Sequence, residues 1–202
     1  MRILVIGGTG TIGGAVVDAL SPRHEVVAAG RSSGDRRVDI ASEESIRAFF
    51  DELGRFDALV SAAGAASFEP LAELDAADFR VGLDSKLMGQ VGLVLLGLPH
   101  VADGGSFTLT SGVLAAEPIP GSAAVSVANA GVEAFARAAA LEMPRGVRIN
   151  AVSPPWVRET LEAMGRDPSP GMFAAEVAKA YVASVEGDAN GEVIDARRVG
   201  GR

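Results

Sequence analysis

Cysteine is absent from the 202 residues. That excludes disulfides, thiolate metal sites and a cysteine nucleophile. Histidine occurs only as His24 and His100, too little for a histidine-rich metal centre, and no metal is expected. Aromatic side chains are scarce, with Trp156 the sole tryptophan and Tyr181 the sole tyrosine. Positive charge is thin as well: 18 Lys and Arg stand against 26 Asp and Glu, giving a net charge of −8. The pair Arg36-Arg37 is too short to make a basic face, so neither nucleic acid nor an anionic membrane is an expected partner. No apolar run reaches bilayer-spanning length; the longest, VGLVLLGLPHV at 91–101, contains a proline. The chain begins directly with RILVIGG, without the charged and then apolar regions of a signal peptide. A soluble, cytoplasmic protein is the expectation.

What is present is the material of a packed core. Hydrophobic residues make up 48% and charged residues 22%, and the length suits one domain over 1–202. Short β-branched runs at 2–6, 25–29, 37–39, 57–62, 105–110, 147–152 and 192–195 alternate with alanine-rich segments at 12–20, 42–53, 71–98, 122–143 and 173–185. Continuous apolar strands alternating with helices predict an α/β fold. It is a Rossmann-type, doubly wound parallel sheet of about seven strands, with helices on both faces in three αβα layers. Ser42 is placed to cap the second helix and Gly54 to end it.

The stretch RILVIGGTGTIGGAV carries the clearest chemistry. A strand runs into Gly8-Thr9-Gly10-Thr11-Ile12-Gly13, and a helical pattern follows. G-x-G-x-x-G in that context is a dinucleotide-binding loop. The glycines let backbone N–H groups approach a pyrophosphate and let the helix pack close, with its positive end toward the phosphates. An NAD site places an acid at the end of the second strand, about 20 residues on. Here Arg31 stands there with Ser32 and Ser33. A guanidinium beside hydroxyls suits a 2′-phosphate, so NADP(H) is favoured over NAD(H).

In order along the chain, VIGGTGTIG, VDI at 38–40, VSAAG at 60–64, LPHV at 98–101, RINAVSPPW at 148–156 and GEVIDARRVGG at 191–201 resemble the short-chain dehydrogenase/reductase family. The loop is similar to the family's variant with glycines three apart, at Gly7, Gly10 and Gly13. The resemblance implies an oxidoreductase acting on small alcohols or carbonyls, with Asp39 and Ile40 near the adenine. Ala62, Ala63 and Gly64 would border the cofactor, and Pro154, Trp156 and Val157 its nicotinamide end. Family enzymes use a tyrosine as proton donor, with a lysine four residues later holding the nicotinamide ribose and lowering the tyrosine's pKa. They also use a serine that orients substrate and an asparagine on the preceding long helix. In this chain the four places fall on Val125, Asn129, Gly112 and Lys86. Valine cannot transfer a proton, so the usual mechanism does not carry over.

The tentative catalytic candidates are therefore Ser111, beside the family's serine position, and Lys86, which exchanges places with Asn129. Lys86 either enters the nicotinamide pocket or points to water with its polar neighbours Asp84 and Ser85. Tyr181 reads as a packed aromatic and His100 as structural. Trp156 either covers the nicotinamide or plugs the core. Pro155 and Glu159 stand where the family has glycine and threonine. The stretch 157–173 leaves little chain for a substrate lid. Ala128, Ala130, Gly131 and Ala134 allow close helix approach, and helices 71–98 and 122–143 are expected to form a homo-oligomer. Three functions stay open: an NADP(H)-dependent oxidoreductase of a small carbonyl or alcohol substrate with an atypical proton donor, a catalytically inactive NADP(H)-binding regulatory or sensor module, or a cofactor-free structural partner or non-redox enzyme; the partner is a small-molecule substrate or none.

Overall fold

The computed structural model describes residues 1–199; the two glycines that end the GEVIDARRVGG motif lie outside them. The seven strands are β1 (Arg2–Ile6), β2 (Glu25–Gly30), β3 (Arg36–Arg37), β4 (Phe56–Ser61), β5 (Val101–Thr110), β6 (Arg148–Ser153) and β7 (Val193–Asp195). They form one sheet in the order β3-β2-β1-β4-β5-β6-β7, and every pairing is parallel. Val, Ile, Leu and Ala dominate the central strands because both faces are covered. One face packs Leu4, Leu59, Phe107 and Ile149 under α2 (Glu43–Leu53), α4 (Gly89–Gly97) and α5 (Ala123–Ala139). The other packs Ile3, Val5, Ala58 and Val60 under α1 (Thr11–Leu20) and α7 (Ala174–Glu186). This is the doubly wound, three-layer fold expected from the alternation of strands and helices.

Strand order reverses between β1 and β4, the point at which such sheets open a crevice beyond their strand ends. Ser42 caps α2, accepting from Ser45 N–H at 3.2 Å, and Gly54 follows it with φ +69°. The helix expected over 71–98 is shorter and broken. Residues 71–73 form a turn, and Asp75 caps α3 (Ala76–Arg80) in a reciprocal capping box with Asp78. Residues Val81–Met88 are π-helical before α4 resumes the α-helical pitch. The helix expected over 122–143 ends at Ala139, ahead of Pro144 and of Arg145, whose φ is +56°. A short helix, α6 (Arg158–Ala163), occupies part of the stretch 157–173 that leaves little chain for a lid. The third strand is two residues long, starting one residue and ending two residues before its expected place at 37–39.

Candidate functional site

Two connected hollows lie along the crevice, with Gly64 in the wall of both. The first, about 360 Å³, is lined by Gly7, Thr9, Gly10, Arg31, Ser32, Asp39, Ile40, Ala62 and Ala63, so ten of the residues singled out for the cofactor, Gly64 included, meet there. Gly8 and Gly13 are buried beneath the loop and Thr11 is exposed at the start of α1. Gly13 has no room for a side chain, because a Cβ would stand 2.0 Å from Gly7 O. The N-terminus of α1 has no side-chain cap and no acid in its first turn, leaving its positive end open to the crevice. Thr9 Oγ1 and Ser33 Oγ share a hydrogen bond of 2.6 Å that ties the glycine loop to the end of β2. Arg31 is exposed at that end, and among the described residues no carboxylate pairs with it. Asp39 is committed locally: its carboxylate accepts Ala41 N–H at 3.0 Å, and its own N–H donates to Ser45 Oγ at 2.9 Å. A backbone cradle without side chains, an open helix end and an unpaired guanidinium together fit the phosphates of a dinucleotide.

The second hollow, about 400 Å³, is mainly apolar. Ile12, Phe68, Val113, Leu114, Val125, Pro154, Pro155, Trp156, Val157 and Met164 form much of its wall, and Lys86, Ser111, Asn129 and Thr160 supply polar side chains. Val125 thus stands in the cavity as the alignment implied. Trp156 packs edge-on against Phe68 at 5.7 Å, and the Arg166 guanidinium lies 5.2 Å from its ring centre. Its neighbours hold it as part of the wall.

Lys86 turns into this cavity. Its Nζ donates to Ser111 O at 3.0 Å, and loss of hydration lowers its pKa from the usual lysine value to about 8. Gly64 makes room for it: with φ +137°, a Cβ there would stand 2.8 Å from Lys86 Cα. Gln90, fully buried, fixes the lysine's backbone. Its Nε2 donates to Lys86 O and to Thr110 O, both at 2.9 Å, while its Oε1 accepts Thr110 N–H at 2.8 Å. The π-helical turn and the end of β5 are thereby locked together. Sequence reasoning missed Gln90; a lone amide inside the apolar run GQVGLVLLG was the available signal.

Ser111 meets the cavity differently from its expected role. Its hydroxyl is turned into the protein, donating to Glu133 Oε1 at 2.8 Å, with Asn129 O 3.2 Å away. What it offers Lys86 is its carbonyl. Glu133, another residue not singled out beforehand, is nearly buried, with Arg137 3.7 Å away on the next turn of α5. Asn129 is 2% exposed; its Nδ2 donates to Gly112 O at 3.4 Å and its Oδ1 has no partner.

The remaining candidates are spoken for. Tyr181 is fully buried, bonded to Thr110 Oγ1 at 2.7 Å, and its pKa is driven well upward by burial. His100 stacks on Phe50 at 5.4 Å. Glu159 accepts Ala174 N–H with both oxygens at 3.0 and 3.1 Å, capping α7, so it is occupied away from the cavity. Thr160, next to it, lines the cavity instead.

Residues 15–190 match the family profile described as enoyl-(acyl carrier protein) reductase. The chain is 28% identical over 141 residues to hydroxynaphthalene reductase arp2 of Aspergillus fumigatus, covering 67% of this chain and 52% of that protein. It is 33% identical over 144 residues to L-fucose dehydrogenase of Oryctolagus cuniculus, covering 65% and 50%. The chain therefore spans about half the length of these curated relatives. Among solved structures, protein lin1944 of Listeria innocua superposes with a TM-score of 0.92 at 45% identity, covering 96% of this chain and 98% of that one. A small-chain dehydrogenase in complex with NADPH superposes at 0.85 and 28% identity, covering 96% and 95%. Because the profile runs through most of the sequence and these structures share its fold over nearly their full length, the protein belongs to the short-chain dehydrogenase/reductase family of oxidoreductases.

Proposed function

We propose that the protein reduces a small, largely apolar carbonyl compound with NADPH, using the Lys86 ammonium where relatives use a tyrosine. The observation that carries this reading is the Lys86 side chain in an apolar cavity that adjoins the dinucleotide crevice at Gly64. The glycine loop, the open end of α1 and Arg31 would hold the diphosphate and 2′-phosphate, and the NADPH-complexed relative of nearly equal length supports the choice of cofactor. When bound, that cofactor would supply the hydride.

The chain's own part is binding and proton transfer. The apolar wall strips water from the substrate and strengthens any charge interaction made inside. Lys86 keeps its proton at neutral pH, since burial brings its pKa down only to about 8. It would donate one N–H to the carbonyl oxygen, deliver that proton as negative charge develops there, and remain as a neutral amine until reprotonated through the open mouth. Ser111 acts through its carbonyl, which orients the ammonium, rather than through its hydroxyl.

Assembly belongs to the same proposal. Val81, Met88 and Leu95 on the long broken helix and Val127 on α5 are exposed, which supports pairing of these helices between two copies.

A second reading, an NADP(H)-binding sensor without turnover, draws on Val125, which removes the family's proton donor from the cavity. NADPH oxidation followed over a panel of aryl and alkyl ketones and aldehydes separates the two. Turnover in the parent, reduced at least 100-fold in Lys86→Met while NADPH still binds, supports reduction by this route. Binding without turnover of any carbonyl selects the sensor.

A further inference from the structure

Asn129 Oδ1 is a buried acceptor without a partner, in the wall of the same cavity as Lys86. Its orientation is set by Gly112 O, toward which the amide must turn its nitrogen. The two polar heads are held on consecutive carbonyls of one turn, Lys86 Nζ on Ser111 O and Asn129 Nδ2 on Gly112 O. The turn is itself braced by the Ser111 to Glu133 hydrogen bond. Lys86 is left with N–H protons to give and Asn129 with an oxygen to fill, both in a wall that includes Phe68, Leu114, Val125 and Trp156.

A simple ketone can satisfy the donor and leaves the acceptor unpaired, which is unfavourable for a buried carbonyl. From this we propose that Lys86 Nζ and Asn129 Oδ1 form one recognition pair for a ligand with two adjacent oxygens, the first an acceptor and the second a hydroxyl. An α-hydroxy ketone meets that demand. The proposal rests on the cavity being the ligand site assigned above, and it makes Asn129 a specificity-determining residue for that site. Sites built to bond a hydroxyl discriminate strongly against the analogue that lacks it.

Benzoylcarbinol and acetophenone differ by that hydroxyl alone. Ligand-detected NMR on the cofactor-free protein is expected to show benzoylcarbinol binding about tenfold more tightly, with the difference closing in Asn129→Leu. The parent comparison needs no variant, and a thermal melt checks that Asn129→Leu is folded. NADPH titration of parent and variant, followed by Trp156 emission, is the second arm. A tenfold loss of NADPH affinity in the variant, with no preference between the two ketones in the parent, overturns the pair and leaves Asn129 to the cofactor. No ketone preference together with unchanged NADPH affinity overturns the pair. A ketone preference in a parent that binds no NADPH keeps the pair and sinks the NADPH reading instead.

Discussion

The two hollows of the crevice are built on different principles. At the glycine loop the binding surface is backbone, shaped by what Gly13 lacks and by the open end of α1. At the apolar cavity it is side chains, and the polar work falls to a lysine and an asparagine. A backbone site has few solutions, because only glycine leaves room for the approach. A side-chain site can exchange its parts provided that charge and hydrogen-bonding capacity still arrive at the same place. The first hollow gathers residues that the family resemblance pointed to for the cofactor, and the second holds Lys86, Gly112, Val125 and Asn129, on which that resemblance puts the family's four catalytic places.

The sharpest way to break the contrast is Gly13→Ala. A Cβ pressed against Gly7 O requires the loop or the helix to move. NADPH affinity should fall at least 100-fold, and stability should drop by about 3 kcal/mol, measured by titration and urea unfolding. Gln90→Leu attacks the other hollow from behind by removing the side-chain partners of Thr110 O and Thr110 N–H and one donor to Lys86 O. A loss of about 3 kcal/mol is expected in urea, with dinucleotide affinity nearly unchanged. A parallel loss of affinity would show that the two hollows are not separable.

Lys86→Met should have the opposite sign. The lysine's pKa is lowered in the folded state, so below pH 8 both states carry the charge and only the folded one bears its desolvation. That cost disappears as pH rises from about 8 to the unfolded value of 10.5. The variant should gain about 2 kcal/mol at pH 7, because part of the side chain remains open to the cavity and its desolvation is incomplete, and should gain nothing near pH 11. In the parent, carbonyl reduction should decline as pH rises through about 8. The smallest effect is expected for Arg31→Ala: about tenfold weaker NADPH binding with NADH unaffected, read from paired titrations. Equal losses for both cofactors would remove the 2′-phosphate from the role of Arg31.

The sheet, its parallel order and the glycine loop were legible because strand and helix periods and G-x-G-x-x-G follow from local chemistry. Ser42 and Gly54 marked their helix ends for the same reason. The broken helix at 76–97 was not legible, since VGLDSKLM has no proline and its one glycine, Gly82, is tolerated inside a helical pattern, so nothing local announces the π-helical winding. The direction of Lys86 was equally hidden: polar neighbours at 84 and 85 describe one face of a regular helix, and this helix is not regular there. Ser111 was correctly placed at the strand end, yet its hydroxyl goes to Glu133, a partner 22 positions away that no local pattern announces.

The π-helical stretch also gives the lysine's position a counting rule. An α-helix turns by about 100° per residue, so an i→i+5 segment between two α-helical ones behaves as a phase insert. Deleting one residue between Val81 and Ser85 would let the stretch rewind to the ordinary pitch while preserving every later side chain in identity. Five α-helical steps after Arg80 turn through nearly the same angle as six steps of the looser winding, so Lys86 would keep its facing toward Gly64 and the cavity. The looser turn thus absorbs one residue of length, and a one-residue gap within 81–85 is a length change that leaves the ammonium in place.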